Sequence, residues 1–293
     1  MTNSAVFFTY GSQEDLDYII SGFSKWPFDE VLVAVGGEIE LHLPEGPENS
    51  GRIKILREPE RLGKTVSYNK VLKYVTGNRV FIISGDVRFQ ENVPSYLLSV
   101  LKGDVGMVIP RVVPEDAENL ANRVGITIWK AHEIFNSLRS GGGEFFCGGE
   151  FQLMDGIPPS IPEGIINDDE YLGAMVFSSG KRILYCTDVE VRNRTPDSFI
   201  DLLRQRVRVN YGHLQCLKLF RRTSSFSLEF GKNPWQSISI LKRLVDGKPG
   251  NAFILFLAIY IEFLSILFSR IYHRMKIDFT KWKMVNSDAR YSK

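Results

Sequence analysis

Along the first half of the chain, short apolar runs alternate with stretches whose apolar residues recur at helical spacing. Ala5–Tyr10, Glu30–Val35, Ile53–Leu56, Arg79–Ser84 and Val105–Pro110 read as strands, several closed by glycine. Between them, Glu14–Phe23, Gly63–Tyr74 and Ser95–Leu101 carry the period of half-buried helices. Residues 111–166 are less regular. Gly141-Gly142-Gly143, Gly148-Gly149 and a Pro158-Pro159…Pro162 run there read as loops around a site. Strands at Arg182–Cys186 and Val189–Asn193 follow, then a helix over about Asp197–Cys216. Strand, helix and strand in repetition predict an α/β fold, a mostly parallel sheet with helices on both faces. Ligands of such sheets lie beyond the carboxyl ends of the strands, which directs attention to Tyr10–Gly11, Gly36–Gly37 and Ser84–Asp86.

The pattern changes near the other end. Ala252–Ser269 is an 18-residue apolar run whose only charge is Glu262, about 27 Å long as a helix. Glu262, Ser265 and Ser269 make one thin polar stripe on it. Lys242, Arg243 and Lys248 precede the run, and Arg270, Arg274 and Lys276 follow it. Trp235–Val245 is amphipathic, with Trp235, Ile238, Leu241 and Leu244 on one face. A spanning or re-entrant helix at about 252–269, an interfacial helix at about 235–245, and a buried core helix are the readings open here. The basic flanks favour membrane contact.

Charge sharpens this division. The 293 residues have a formal net charge of +2. Residues 1–212 hold 22 Lys and Arg against 29 Asp and Glu, whereas 213–293 hold 14 against 5. An acidic body over 1–212 and a basic, apolar region over 213–293 are expected, the latter facing anionic membrane lipid. A nucleic-acid arm would not need an apolar centre, so no nucleic-acid partner is expected. Cys147, Cys186 and Cys216, odd in number and widely spaced, predict reduced core thiols rather than disulfides or a zinc site. The N-terminus reads as a strand start and not as a signal peptide. The 44% hydrophobic and 24% charged composition excludes collagen, coiled coil and long disorder.

Candidate chemistry comes as an ordered series. Glu60-Arg61-Leu62-Gly63-Lys64 precedes a helix containing Asn69. Gly77 precedes the strand ending in Ser84-Gly85-Asp86. Then come Gly148-Gly149-Glu150, Asn167-Asp168-Asp169-Glu170, and Gln205-Arg206-Val207-Arg208-Val209. Over about residues 4–216 this series resembles the family-two inverting glycosyltransferases of GT-A fold, including the cellulose-synthase-like and dolichol-phosphate-sugar-synthase-like members.

The resemblance implies roles. Asp86 matches the last position of a D-x-D whose first Asp is Ser84 here, and it would hold Mg²⁺ or Mn²⁺ against the donor diphosphate. Gly63 and Lys64 would receive phosphate at a helix N-terminus. Tyr10 and Gly11, Asn69 and Gly85 would complete the donor side. Glu38 is the nearest acid to the position where the family carries a base- or ribose-contacting Asp. Asp169 matches the general base and Asp168 its supporting acid. Gln205 and Arg208 match two positions of Q-x-x-R-W, with Val209 standing where the family has Trp. Gly148, Gly149 and Glu150 would line the acceptor pocket. His132 and His213 are expected to be structural.

The expected activity is inverting transfer of one hexose from a UDP- or GDP-linked sugar to a lipid-linked acceptor. The catalytic domain would sit on the cytoplasmic side of the cell membrane, with association of copies through the C-terminal helices a further expectation. The alternative is a membrane-bound nucleotide-sugar-binding or scaffold protein that has lost turnover.

Overall fold

Strand β1 (Asn3–Thr9) alternates its side chains so strictly that each face of the sheet gets its own core. Ala5 and Phe7 point to one side, Val6 and Phe8 to the other. In the computed structural model, which describes residues 1–9, 12–36, 51–58, 63–139, 145–230, 232–245 and 249–279, β1 is joined by β2 (Glu30–Gly36), β3 (Ile53–Glu58), β4 (Arg79–Ser84), β5 (Arg88–Phe89), β6 (Val105–Pro114), β7 (Phe151–Asp155) and β8 (Arg182–Asn193). They form one eight-stranded sheet in the order β3-β2-β1-β4-β7-β6-β8-β5. The parallel ladders β1–β2, β1–β4, β2–β3 and β6–β8 meet the expectation of a mostly parallel sheet. Only β7 and the two-residue β5 run against the rest.

Helices α1 (Gln13–Gly22) and α3 (Val93–Val100) cover one face through Leu16, Ile19 and Leu97. On the other face lie α2 (Lys64–Leu72) and α5 (Asp168–Ser178), through Tyr68, Val71 and Leu172. The two segments expected at 182–186 and 189–193 form one strand. A register shift against β6 absorbs the polar Thr187-Asp188 between them.

The segment expected to be irregular holds two elements, α4 (Leu120–Arg139) and β7. With α6 (Phe199–Phe220), α7 (Phe226–Glu229), α8 (Pro234–Val245) and α9 (Pro249–Arg274), α4 builds a helical layer with its own small cores. The change of charge at 212/213 falls inside α6, which continues unbroken through it. The expected boundary therefore marks a shift of surface charge, not a break in the chain's structure.

The polar stripe of α9 is what attaches it. Glu262 accepts from Arg206 Nε on α6 at 2.5 Å and from the Ser227 hydroxyl, and Asn210 Nδ2 donates to Ser265 Oγ at 2.8 Å. Ser265 and Ser269 are fully buried. Burial by itself raises the Glu262 carboxyl, but Arg206 outweighs it and holds the group down to about 2.

Candidate active site

Beyond the carboxyl ends of the parallel strands opens a cavity of about 830 Å³, a volume typical of ligand sites. The ends of β1 (Thr9), β4 (Ser84 and Asp86) and β8 (Asn193 and Arg194) reach it directly. Because β7 is antiparallel, it is its start, not its end, that lies at this edge, and Gly149-Glu150 arrive there for that reason. Ser84 ties the two strands, donating from N to Glu150 O at 2.9 Å and from Oγ to Gly149 O at 3.0 Å.

Lys64 opens α2. Its preceding residue, Gly63, has φ of +91°, a backbone that only glycine adopts without strain. Lys64 Nζ lies 3.0 Å from Asp168 Oδ2 and 3.4 Å from Gly149 O, above the Phe8 ring. A part-buried ammonium at a helix N-terminus is a favourable place for a phosphate.

Three consecutive acids at the start of α5 have three different fates. Asp168 is buried and paired with Lys64. Glu170, with no exposed surface, lies 2.7 Å from His213 Nδ1 and accepts from Thr223 Oγ1 and Ser224 N, each at 2.8 Å. With both neighbours fixed, Asp169 is turned into the cavity beside Cys147 and Gly149. A Cβ at Gly149 would come within 3.3 Å of Asp169 Oδ2, so glycine keeps the space in front of this carboxylate open. Burial, reinforced by Asp168, raises the Asp169 carboxyl above the ordinary value while Lys64 opposes. That is the direction a general base operating near neutral pH requires.

Asp86 is exposed to the cavity, yet its walls exclude enough water to raise its carboxyl, against the pull of Lys64, Arg88 and Arg194. Among the described residues no three His, Cys, Asp or Glu side chains converge as a metal cluster. The donor set nevertheless fits Mg²⁺ or Mn²⁺. Asn193 Oδ1 and Thr9 Oγ1 are buried oxygens that line the same cavity without a hydrogen-bond partner. A hard cation held by one carboxylate needs oxygen company of this kind, the remainder coming from phosphate and water.

Glu150 titrates unusually. Burial, with help from Asp169, pushes its carboxyl up to about 7. The folded protein then holds a proton that the unfolded chain has lost at pH above about 4.5, so stability falls as pH rises from there to about 7. Glu150→Gln, neutral throughout, is expected to remove this fall and to be more stable than the parent by on the order of 2 kcal/mol at pH 8 but not at pH 4. Chemical denaturation at the two pH values measures it, and an equal difference at both contradicts it.

The structure gathers Lys64, Asp86, Gly149, Glu150, Asp168, Asp169, Gln205 and Arg208 around one cavity. Four other residues expected in the site stand behind it. Asn69 spends its amide on the backbone of Ile161, donating at 2.7 Å and accepting at 2.9 Å, and so pins the proline-rich loop instead of meeting a donor. Gly148 packs against Ile109, Gly85 against the backbone of Phe8 and Thr9, and Gly63 serves as a turn. Tyr10, Gly11 and Glu38 lie outside the described residues. His213 is held by Glu170, and both it and His132 border the cavity. The sequence reading passed over Thr9, Arg88, Asn193 and Arg194, and the aromatic wall of Phe268, Tyr272 and Phe279. For Asn193-Arg194 the signal was available, since they end a parallel strand.

The site lies where the doubly wound fold places ligands, and residues 24–155, just under half of the chain, match the model of glycosyl transferase family 2. The protein is a glycosyltransferase. The matched segment ends with β7, so Asp168, Asp169, Gln205 and Arg208 of the glycosyltransferase lie beyond it. No curated protein matches the sequence. Among solved structures, the mannosyltransferase PcManGT from Pyrobaculum calidifontis, in complex with GDP-Man and Mn²⁺, is similar over 94% of this chain and 87% of its own. The TM-score is 0.57 at 14% identity, a likeness of fold, and the fold is GT-A-like. S. aureus TarS 1-349, in complex with UDP-GlcNAc, is matched over 98% of this chain and 95% of its own at 13% identity, with a TM-score of 0.45.

Proposed function

We propose that the glycosyltransferase moves a single hexose, with inversion, from a UDP- or GDP-linked sugar to a lipid-linked acceptor at a membrane. The observation that carries this is Asp169, which faces, from between two tethered acids, the cavity that Lys64 and Asp86 also line. Lys64 and Arg208 bind the donor diphosphate, Gln205 orients the sugar, and Gly149 and Glu150 line the acceptor side. Asp169 takes the proton of the acceptor hydroxyl as its oxygen bonds to the anomeric carbon. The bond to the diphosphate breaks on the opposite face, and its electron pair leaves with the phosphate oxygen.

Asp86, with Asn193 and Thr9 lining the same cavity, would hold Mg²⁺ or Mn²⁺, which would supply charge neutralisation for the departing nucleotide diphosphate. PcManGT, with GDP-Man and Mn²⁺ on a similar fold, supports a metal-dependent donor site. The choice of a lipid-linked acceptor is supported by α9, the one helix among the described residues long and apolar enough to cross a membrane. A single such helix favours addition of one sugar over extrusion of a polymer.

Incubating the whole protein with Mn²⁺, UDP- and GDP-hexoses and polyprenyl or dolichyl phosphates and saccharides tests the reading. One nucleotide sugar is expected to yield a glycolipid whose anomeric proton, by NMR, shows the configuration opposite to the donor's. Retention of configuration, or transfer only to water-soluble acceptors, would overturn it.

A further inference from the structure

Helix α9 is apolar on two sides. A soluble amphipathic helix buries its one apolar side, and α9 does so with Ile254, Ala258 and Ile261, beside the inward Glu262, Ser265 and Ser269. Its other side carries Phe253, Phe256, Tyr260, Phe263, Leu267 and Ile271, spaced three or four residues apart and all at least 41% exposed. Phe256 and Phe263 exceed 60%. Beside it, α8 exposes Trp235 (83%) and Ile238. A continuous apolar face of this kind marks a binding surface.

We propose that the outer face of α8 and α9 docks in the plane of an anionic bilayer surface, and that α9 does not cross it. Crossing requires lipid on all sides of a helix, or polar groups that pair within the membrane. Here α6 runs along the inner side of α9 and holds it through Arg206 and Asn210. Withdrawing α9 into hydrocarbon would strip Glu262 of Arg206, leaving each charge alone. Taking α6 along would carry the catalytic layer with it. An in-plane orientation sinks the aromatic stripe to the acyl boundary and keeps every buried polar contact.

The charge around the stripe identifies the partner. Lys242 and Arg243 at the end of α8, and Arg270, Arg274 and Lys276 at the end of α9, are all exposed. They rim the apolar face where phosphate headgroups would lie. A second copy of this chain would bring the same positive rim and oppose itself. The docked edge is also the edge of the site, because Phe268 and Tyr272 of α9 wall the catalytic cavity. Docking thus sets the cavity at the membrane surface whether or not the acceptor is lipid-linked.

Flotation of the purified full chain with phosphatidylcholine vesicles, with and without phosphatidylglycerol, tests the proposal. The chain is expected to float with the anionic vesicles, less with neutral ones, and to be released by an alkaline carbonate wash. Phe256→Glu combined with Phe263→Glu is expected to lower the bound fraction about tenfold or more. Both side chains point away from the body, so its melting temperature and its stabilisation by nucleotide with Mn²⁺ stay at the parent's values. Resistance to the wash would assign α9 as a span. A parent that stays off vesicles but sediments as a dimer broken by the same substitutions would assign the face to a second copy. Flotation of the variant with a normal melting temperature would show that another surface binds. Each of the three overturns the proposal. None depends on sugar transfer.

Discussion

Asp169→Asn is expected to lower the rate of sugar transfer by about 10²–10⁴-fold while leaving donor binding intact. The two effects separate because of how α5 is held. Asp168 is committed to Lys64, and Glu170 to His213, the Thr223 hydroxyl and the Ser224 backbone, so neither is free to replace the missing base. An asparagine fills the same volume, keeps the loop and removes only the proton acceptor. The loss belongs in kcat, with donor KM little changed, since the carboxylate acts on the acceptor hydroxyl and not on the nucleotide. Because burial and Asp168 raise the Asp169 carboxyl, the parent's rate should climb with pH at values above the ordinary carboxylate range. Steady-state kinetics across pH check both points. A variant within a few-fold of the parent would reassign the base.

Glu262→Ala is expected to cost about 3–5 kcal/mol of folding stability. The substitution does not merely delete a contact. It leaves the buried Arg206 guanidinium without a counter-charge, and removes the acceptor of the Ser227 hydroxyl. The contribution of Glu262 is complete above about pH 4.5 and is lost as pH falls toward 2, the order expected for a carboxyl depressed by its partner. Glu262→Leu together with Arg206→Met removes both charges and should recover most of the loss. Denaturant unfolding of the two single variants and the double variant measures the coupling. Additive single effects would mean that the pair is not what joins α9 to α6.

Much of this architecture was legible in the sequence because a parallel sheet buried on both faces writes its strands as apolar runs. Val31–Val35 and Val80–Ile83 are of that kind. Helix α4 was legible only in part. Its buried Val124, Ile128, Ala131 and Phe135 recur at helical spacing, but they fill two small cores completed by α6 to α9, partners that no local pattern announces. Strand β7 is five residues long, and its direction was beyond any local pattern. Yet that direction brings Gly149-Glu150 to the cavity. The polar stripe of α9 was visible as a stripe, but its partners Arg206 and Asn210 lie some 55 residues away in sequence. Asn69 shows the opposite limit. The resemblance marked it as a donor contact, and only the packing of the 158–162 loop reveals that its amide is already used.

The quantity closest to the chemistry is the metal-dependent stabilisation of the whole protein by nucleotides. Thermal melting with UDP, GDP and their hexose conjugates, with and without Mn²⁺, reads it directly. One nucleotide should raise the melting temperature of the parent and of Asp169→Asn only when Mn²⁺ is present, and should fail to do so with Asp86→Ala. A rise that is the same without metal, or that survives in Asp86→Ala, would contradict a donor site built on Asp86.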